Sequence, residues 1–232
     1  MTSVSCGEEH VALIADGAVW TGGSNAEGQL CRGGYKKGGV GIERLPDVKQ
    51  AVAFVAVSCA PFATTILNAD GFATACGSNE HNALGVMSDS EVTRIAAPLA
   101  LDLPSGVRGL VAVACAEHHS VGLTDDGRVL TWGCADDGRL GRKPKSSRDH
   151  ALPAVVAFPV ADVVPVAVAA GAARSVVVAS DGALWIWGRL GAGEGGEVQR
   201  APARAAGDVL GGARFVTAAA SEWYTLAVAA ER

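Results

Sequence analysis

The stretch AVACAEHHSVGLTDDGRVLTWGCADDGRLG, residues 112–141, sets the pattern that the rest of the chain copies. With the two residues before it, it reads as three short strands: Leu110–Cys115, Ser120–Thr124 and Arg128–Gly133. Asp126-Gly127 joins the second to the third as a tight hairpin turn. A type I′ turn needs positive φ at both central residues, and Asp-Gly tolerates that. After the third strand the chain runs through Cys134–Gly141, a loop bounded by glycine.

The same unit recurs. Asp-Gly pairs fall at 16–17, 70–71, 126–127 and 181–182, at intervals of 54, 56 and 55 residues. Each follows an apolar pair of strands and precedes a third. A fifth copy begins at Phe215; aligned on the third, its Thr225 falls on Ser120, so two of its strands lie within the chain. Between copies lie proline-bearing apolar segments: 43–48, 97–101, 151–156 and 201–203. Each predicts a fourth strand at an outer edge, where proline costs no ladder hydrogen bond. The predicted fold is all-β: a β-propeller of four-stranded antiparallel blades, four blades plus two strands, in one repeat domain over 1–232. The repeats span about 1–52, 53–107, 108–163, 164–212 and 213–232. Arg200–Leu210 is the one stretch that also reads as a short helix.

Composition narrows the function. Of 232 residues, 49% are hydrophobic and 19% charged, which describes a globular chain rather than a disordered one. The net charge of −5 argues against nucleic acid, whose phosphates need Lys and Arg. No apolar run reaches membrane-spanning length, and Met1-Thr2-Ser3 leads straight into a strand, so neither membrane nor signal peptide is expected. Six cysteines follow no zinc spacing. Cys6, Cys59 and Cys115 share one slot in successive repeats, about one unit apart and too far for a disulfide. The expectation is small buried thiols in a reducing compartment, the cytoplasm or nucleus.

Cys6-Gly7-Glu8-Glu9-His10, followed by a strand, Asp-Gly, and Gly23-Ser24-Asn25-Ala26-Glu27-Gly28-Gln29-Leu30, resembles the regulator of chromosome condensation repeat. The pattern returns as Gly77-Ser78-Asn79 with Leu84-Gly85, and as Trp132-Gly133 with Gly138-Arg139-Leu140-Gly141. The fourth copy keeps Trp187-Gly188 and shortens the loop after it. The resemblance implies a propeller, of seven blades in typical members. Four and a half copies leave three readings open: an open arc, a shortened chain, or a ring completed by another chain. It also implies guanine-nucleotide exchange on a small Ran-type GTPase as an alternative function. A plant ultraviolet-B photoreceptor branch carries Gly-Trp-Arg-His-Thr at such turns; Ser221–Thr225 does not match it, and photoreception is not implied.

In a meander, successive connections alternate between the two ends of the sheet. The Asp-Gly turns then crowd one face. The turns between first and second strands share the other with the long loops between third and fourth strands. Long varied loops carry function, so this loop-rich face is the candidate partner surface. Its candidate residues are Glu8, Glu9, His10, Glu117, His118, His119, Glu222, Trp223 and Tyr224, with Arg142, Lys143 and Lys145 of a basic loop. The tryptophans of the third strands read as packing between blades. Gly191–Gly196 satisfies G-x-G-x-x-G but follows a meander strand instead of opening a helix, so it reads as a loop. His118-His119 and Asp125-Asp126 lie at opposite ends of a strand and share no proton relay. The sequence therefore predicts a non-enzymatic interaction module or scaffold subunit with no cofactor and no metal, binding a protein or a larger complex.

Overall fold

The computed structural model describes residues 3–46, 52–86, 92–191, 196–205, 213–221 and 224–229. They form four four-stranded antiparallel meanders and one two-stranded sheet. The first blade comprises β1 (Ser3–Cys6), β2 (His10–Ala15), β3 (Ala18–Asn25) and β4 (Lys36–Arg44). The second comprises β5 (Phe54–Ala60), β6 (Ala63–Asn68), β7 (Ala73–Ser78) and β8 (Arg94–Ala100). The third holds β9 (Leu110–Cys115), β10 (His119–Thr124), β11 (Val129–Gly133) and the two-residue β12 (Ala154–Val155). In the fourth are β13 (Pro165–Ala170), β14 (Arg174–Ala179), β15 (Leu184–Arg189) and β16 (Val198–Arg204); β17 (Phe215–Ala220) and β18 (Thr225–Ala229) begin the fifth.

Burial of the second strands explains why the sequence alternates so little. In β6, β10 and β14 all six residues are buried. A blade flanked on both sides buries both faces of its middle strand, so apolar side chains occupy both faces and the polar ones, such as Thr64, His119 and Ser175, are buried with them. The end blades differ. β2 buries His10, Ala12 and Ile14 and leaves the alternate positions half-exposed. β18 exposes Leu226 and Val228, which point away from the fourth blade.

The core is a series of seams between blades. Ile14, Val19 and Leu45 pack on Val57 and Ile66. Leu67, Leu84 and Leu101 pack on Leu110, Leu130 and Trp132, and Val121 and Val129 pack on Val177 and Trp187. Val176 and Val178 meet Phe215, Ala218 and Ala227. The third-strand tryptophans also hydrogen-bond across the seam: Trp132 Nε1 donates to Ala83 O (2.8 Å) and Trp187 Nε1 to Arg139 O (2.9 Å). Gly85 and Gly141 sit against these indoles with φ of +68° and +64°. A Cβ at either would lie 2.6 Å from the indole nitrogen, so only glycine fits.

Several expectations change. Asp16 (φ 52°) and Gly17 (φ 72°) form the two-residue type I′ loop, closed by the Ala15–Ala18 pair. At the other three turns glycine alone has positive φ. There Gly71, Gly127 and Gly182 N–H groups bond back to Asn68, Thr124 and Ala179 carbonyls, which makes three-residue loops ending in a left-handed glycine. Arg200–Arg204 is strand, not helix; the remainder of that stretch, 206–210, lies outside the described residues. The first fourth strand reaches the proline segment only at Glu43 and Arg44: Leu45 N–H completes its ladder on Val19 O, and Pro46, without an N–H, cannot extend it. That strand begins at Lys36. A one-turn helix, α1 (Ser147–Ala151), interrupts the basic loop of Arg142, Lys143 and Lys145; Ser146 caps it, accepting from Asp149 N. Gly191–Gly196 is described only at its ends.

The cysteines depart most. Cys31 and Cys76 form a disulfide between the first and second blades, with Cα atoms 5.5 Å apart. Both are buried. The three equivalent cysteines are unpaired, as is Cys134, but Cys6 is exposed where a buried thiol was expected. Cys31 follows β3 and Cys76 lies within β7, so the two occupy unlike slots that face one another across a seam.

Candidate functional site

The turns between first and second strands do converge. Gly7 and Glu8, Pro61, Ala116 and Glu117, Gly171 and Ala172, and Ser221 line one open funnel of about 410 Å³. Each contributes because the innermost strands of consecutive blades stand side by side: Ser5 Oγ accepts from Cys59 N (2.9 Å) and Ser58 Oγ from Cys115 N (3.0 Å). The loop after β7 reaches the same face, where Glu80, His81 and Ala83 line a small cleft with Phe62 and Glu117. Glu8 and Glu117 are exposed at this mouth, and Glu9 is exposed beside Glu8 in the same turn. Tyr224 is 68% exposed; Glu222 and Trp223 lie outside the described residues.

His10 and His119 are not surface residues. Both are buried and staple one blade to the next. His10 Nε2 lies 2.8 Å from Thr64 Oγ1, and Thr64 Oγ1 donates to Gln29 O (2.7 Å). In the third blade His119 Nε2 lies 2.8 Å from Ser175 Oγ, which donates to Arg139 O (2.8 Å). Since each hydroxyl proton is already committed to a carbonyl, the imidazole Nε2 must be the donor. That fixes the neutral Nε2–H tautomer. Each Nδ1 is left without a hydrogen-bond partner. Burial pushes both pKa values down, that of His119 to about 3, with Arg139 next in effect. His118 stays at the surface beside Glu117, its Nε2 3.6 Å from the carboxylate.

Arg142 also leaves the candidate surface. Its side chain is 10% exposed, and its guanidinium donates to the carbonyls of Thr131 (3.0 Å), Asp149 (2.9 Å) and Leu152 (3.3 Å). It folds the loop onto β11. Arg32 does the same in the first blade, donating to the Thr21 and Glu43 carbonyls. Lys143 and Lys145 remain exposed. A second cationic cluster sits on the loop-rich side: Asp137 accepts from Arg139 (2.9 Å) and Arg189 (2.6 Å), joining the third blade to the fourth. The Arg189 hydrogen bond, with the charge of both guanidiniums, holds the Asp137 carboxyl below its usual range.

Sequence reading missed Thr64, Ser175, Arg32 and Arg142 as structural partners. The signal existed: Gln29-Leu30-Cys31-Arg32 and Arg139-Leu140-Gly141-Arg142 place arginine at the same step of two copies. Among the described residues no three His, Cys, Asp or Glu side chains are arranged to hold a metal ion. Nor is any helix among them long and apolar enough to cross a membrane.

Two family profiles, both described as regulator of chromosome condensation (RCC1) repeat, match residues 126–178 and 110–139. RCC1 domain-containing protein RUG3, mitochondrial, of Arabidopsis thaliana is 30% identical over 195 residues, 81% of this chain and 42% of that protein. Human WBSCR16 superposes with a TM-score of 0.83 at 24% identity, covering 98% of this chain and 57% of that one. Prp20p of Saccharomyces cerevisiae superposes at 0.79 and 21% identity, covering 98% and 56%. The chain thus spans about half the length of the proteins it matches.

Proposed function

This chain belongs to the regulator of chromosome condensation repeat family, and from that premise we propose that it is a non-enzymatic protein-interaction module or scaffold subunit. The loop-rich face is the surface it uses. One observation carries the reading: turns from five successive blades meet at a single mouth, lined by exposed Glu8 and Glu117 with exposed Glu9 next in the first turn. The opposite face carries the short Asp-Gly turns together with the connections between blades, which pack on those turns through bonds such as Asp125 N to Gly109 O. Lys143, Lys145 and Tyr224 extend the surface; Glu222 and Trp223 belong to the same proposal.

The test is a charge-and-contact scan on the full chain. Glu8→Ala, Glu9→Ala, Glu117→Ala and Tyr224→Ala should each weaken capture of a cross-linked partner, while Asp70→Ala on the turn face should not. If every loop-face variant retains all partners, the proposal falls. A second reading comes from the yeast protein, whose structure is described with its binding properties to Gsp1p and histones. It is guanine-nucleotide exchange on a small Ran-type GTPase by protein contacts alone. A labelled-nucleotide release assay across a GTPase panel separates the two: acceleration of any member selects exchange. Cytoplasmic or nuclear residence belongs to the same proposal. The Arabidopsis relative is designated mitochondrial, so imaging the tagged chain against a mitochondrial marker decides that point.

A further inference from the structure

We propose that His81 and His118 form a pH-sensitive contact across the seam between the second and third blades, which holds the loop after β7 against the turn between β9 and β10 and lets go on proton uptake. The inference rests on reading the loop-rich face as the interaction surface, because release would reshape that face.

The two rings come from different blades and meet edge to face, centroids 4.2 Å apart and planes at 85°. Neutral imidazoles pack well this way, the positive edge of one against the negative face of the other. Two imidazolium ions at that separation repel. His118 is also poorly placed to take a second proton. Its Nδ1 is shut off from solvent and has no hydrogen-bond partner, so a proton there meets no acceptor. Its Nε2 faces Glu117 at 3.6 Å.

The charged and titratable groups facing His118 are Glu117 on its own turn, His81 from the second blade, and Arg139 and Asp136 from the loop after β11. Burial first, then His81 and Arg139, hold His118 below its ordinary value, while Glu117 and Asp136 oppose them. The contact therefore persists at neutral pH and meets its titration on the acid side. His81 and Glu80 are exposed and border the small cleft with Phe62 and Glu117. Loss of the ring contact would open that cleft toward solvent. It would also add positive charge beside exposed carboxylates.

The experiment is a nitrogen-15 imidazole titration of the full chain from pH 8 to 5, in the wild type, His81→Gln and Glu117→Gln, with His118→Gln to identify the signals. In the wild type the His118 midpoint is expected below the ordinary histidine value. It should rise in His81→Gln and fall further in Glu117→Gln. Backbone amide signals of residues 80–84 and 116–119 should shift with the same midpoint, and those of β14 should not. A midpoint at or above the ordinary value, one indifferent to His81→Gln, or amides that stay flat through the titration would overturn the proposal. The measurement uses the free protein. Its failure leaves the interaction surface standing, and loss of that surface in the partner scan leaves this titration unchanged.

Discussion

At the scale of the residue, the buried histidines set how this protein responds to acid. His119 titrates at about 3 when folded, far below its ordinary 6.5. The unfolded chain binds its proton first. Stability from this residue is therefore complete above pH 6.5 and drains as pH falls toward 3. His10 and His118, also shifted down, act with the same sign. His119→Gln, which keeps a donor near the Nε2 position, should cost about 1–3 kcal/mol at pH 7.5. It should also flatten the loss between pH 6.5 and 4, as read by urea unfolding at several pH values; an equally steep variant would contradict the assignment. His119 and its neighbour His118 show what sequence leaves open. They stand where the turn ends and β10 begins, and the spacing predicts exposure for both. Which one turns inward depends on the hydroxyl that the next blade offers, and Ser175 lies 56 residues away.

At the scale of the element, Arg32 and Arg142 fold loops onto their own blades, and Trp132 and Trp187 seat one blade against the next. Arg142→Lys keeps the charge but loses a planar fork that reaches three carbonyls. A loss of about 2–3 kcal/mol is expected, against less than about 0.5 for the exposed neighbour Lys143→Ala. Thermal melts of the pair check this directly. Gly141→Ala should cost at least as much as Arg142→Lys, since its Cβ would strike the Trp187 indole and its φ is positive. Elements were largely legible beforehand. β9 runs Leu110–Cys115 as its sequence predicts, and β17 with β18 pairs Ala220 with Thr225, matching the Cys115–Ser120 pair of the third copy. Local signals suffice there, because Asp-Gly and strand patterning act within a few residues. The α1 turn went unread although Ser146 and Asp149 form a capping pair, since a basic run masked it.

At the scale of the whole molecule, the seams between blades carry the stability, and one seam is covalent. Thiol titration of the denatured, unreduced chain should find four reactive thiols, those of Cys6, Cys59, Cys115 and Cys134. Six would show that Cys31 and Cys76 remain apart. Replacing both by alanine should lower stability by about 2–4 kcal/mol. No reading of one repeat against another finds this bond, because its two cysteines occupy different places in their own copies.

That bond has an operational consequence. Forty-five positions of chain separate its two ends, so a single protease cut anywhere inside this interval leaves both pieces tethered. Such a nicked sample would migrate as intact on a gel run without reductant and fall into two bands once dithiothreitol is added. Purity judged under one condition alone would then miss a severed backbone.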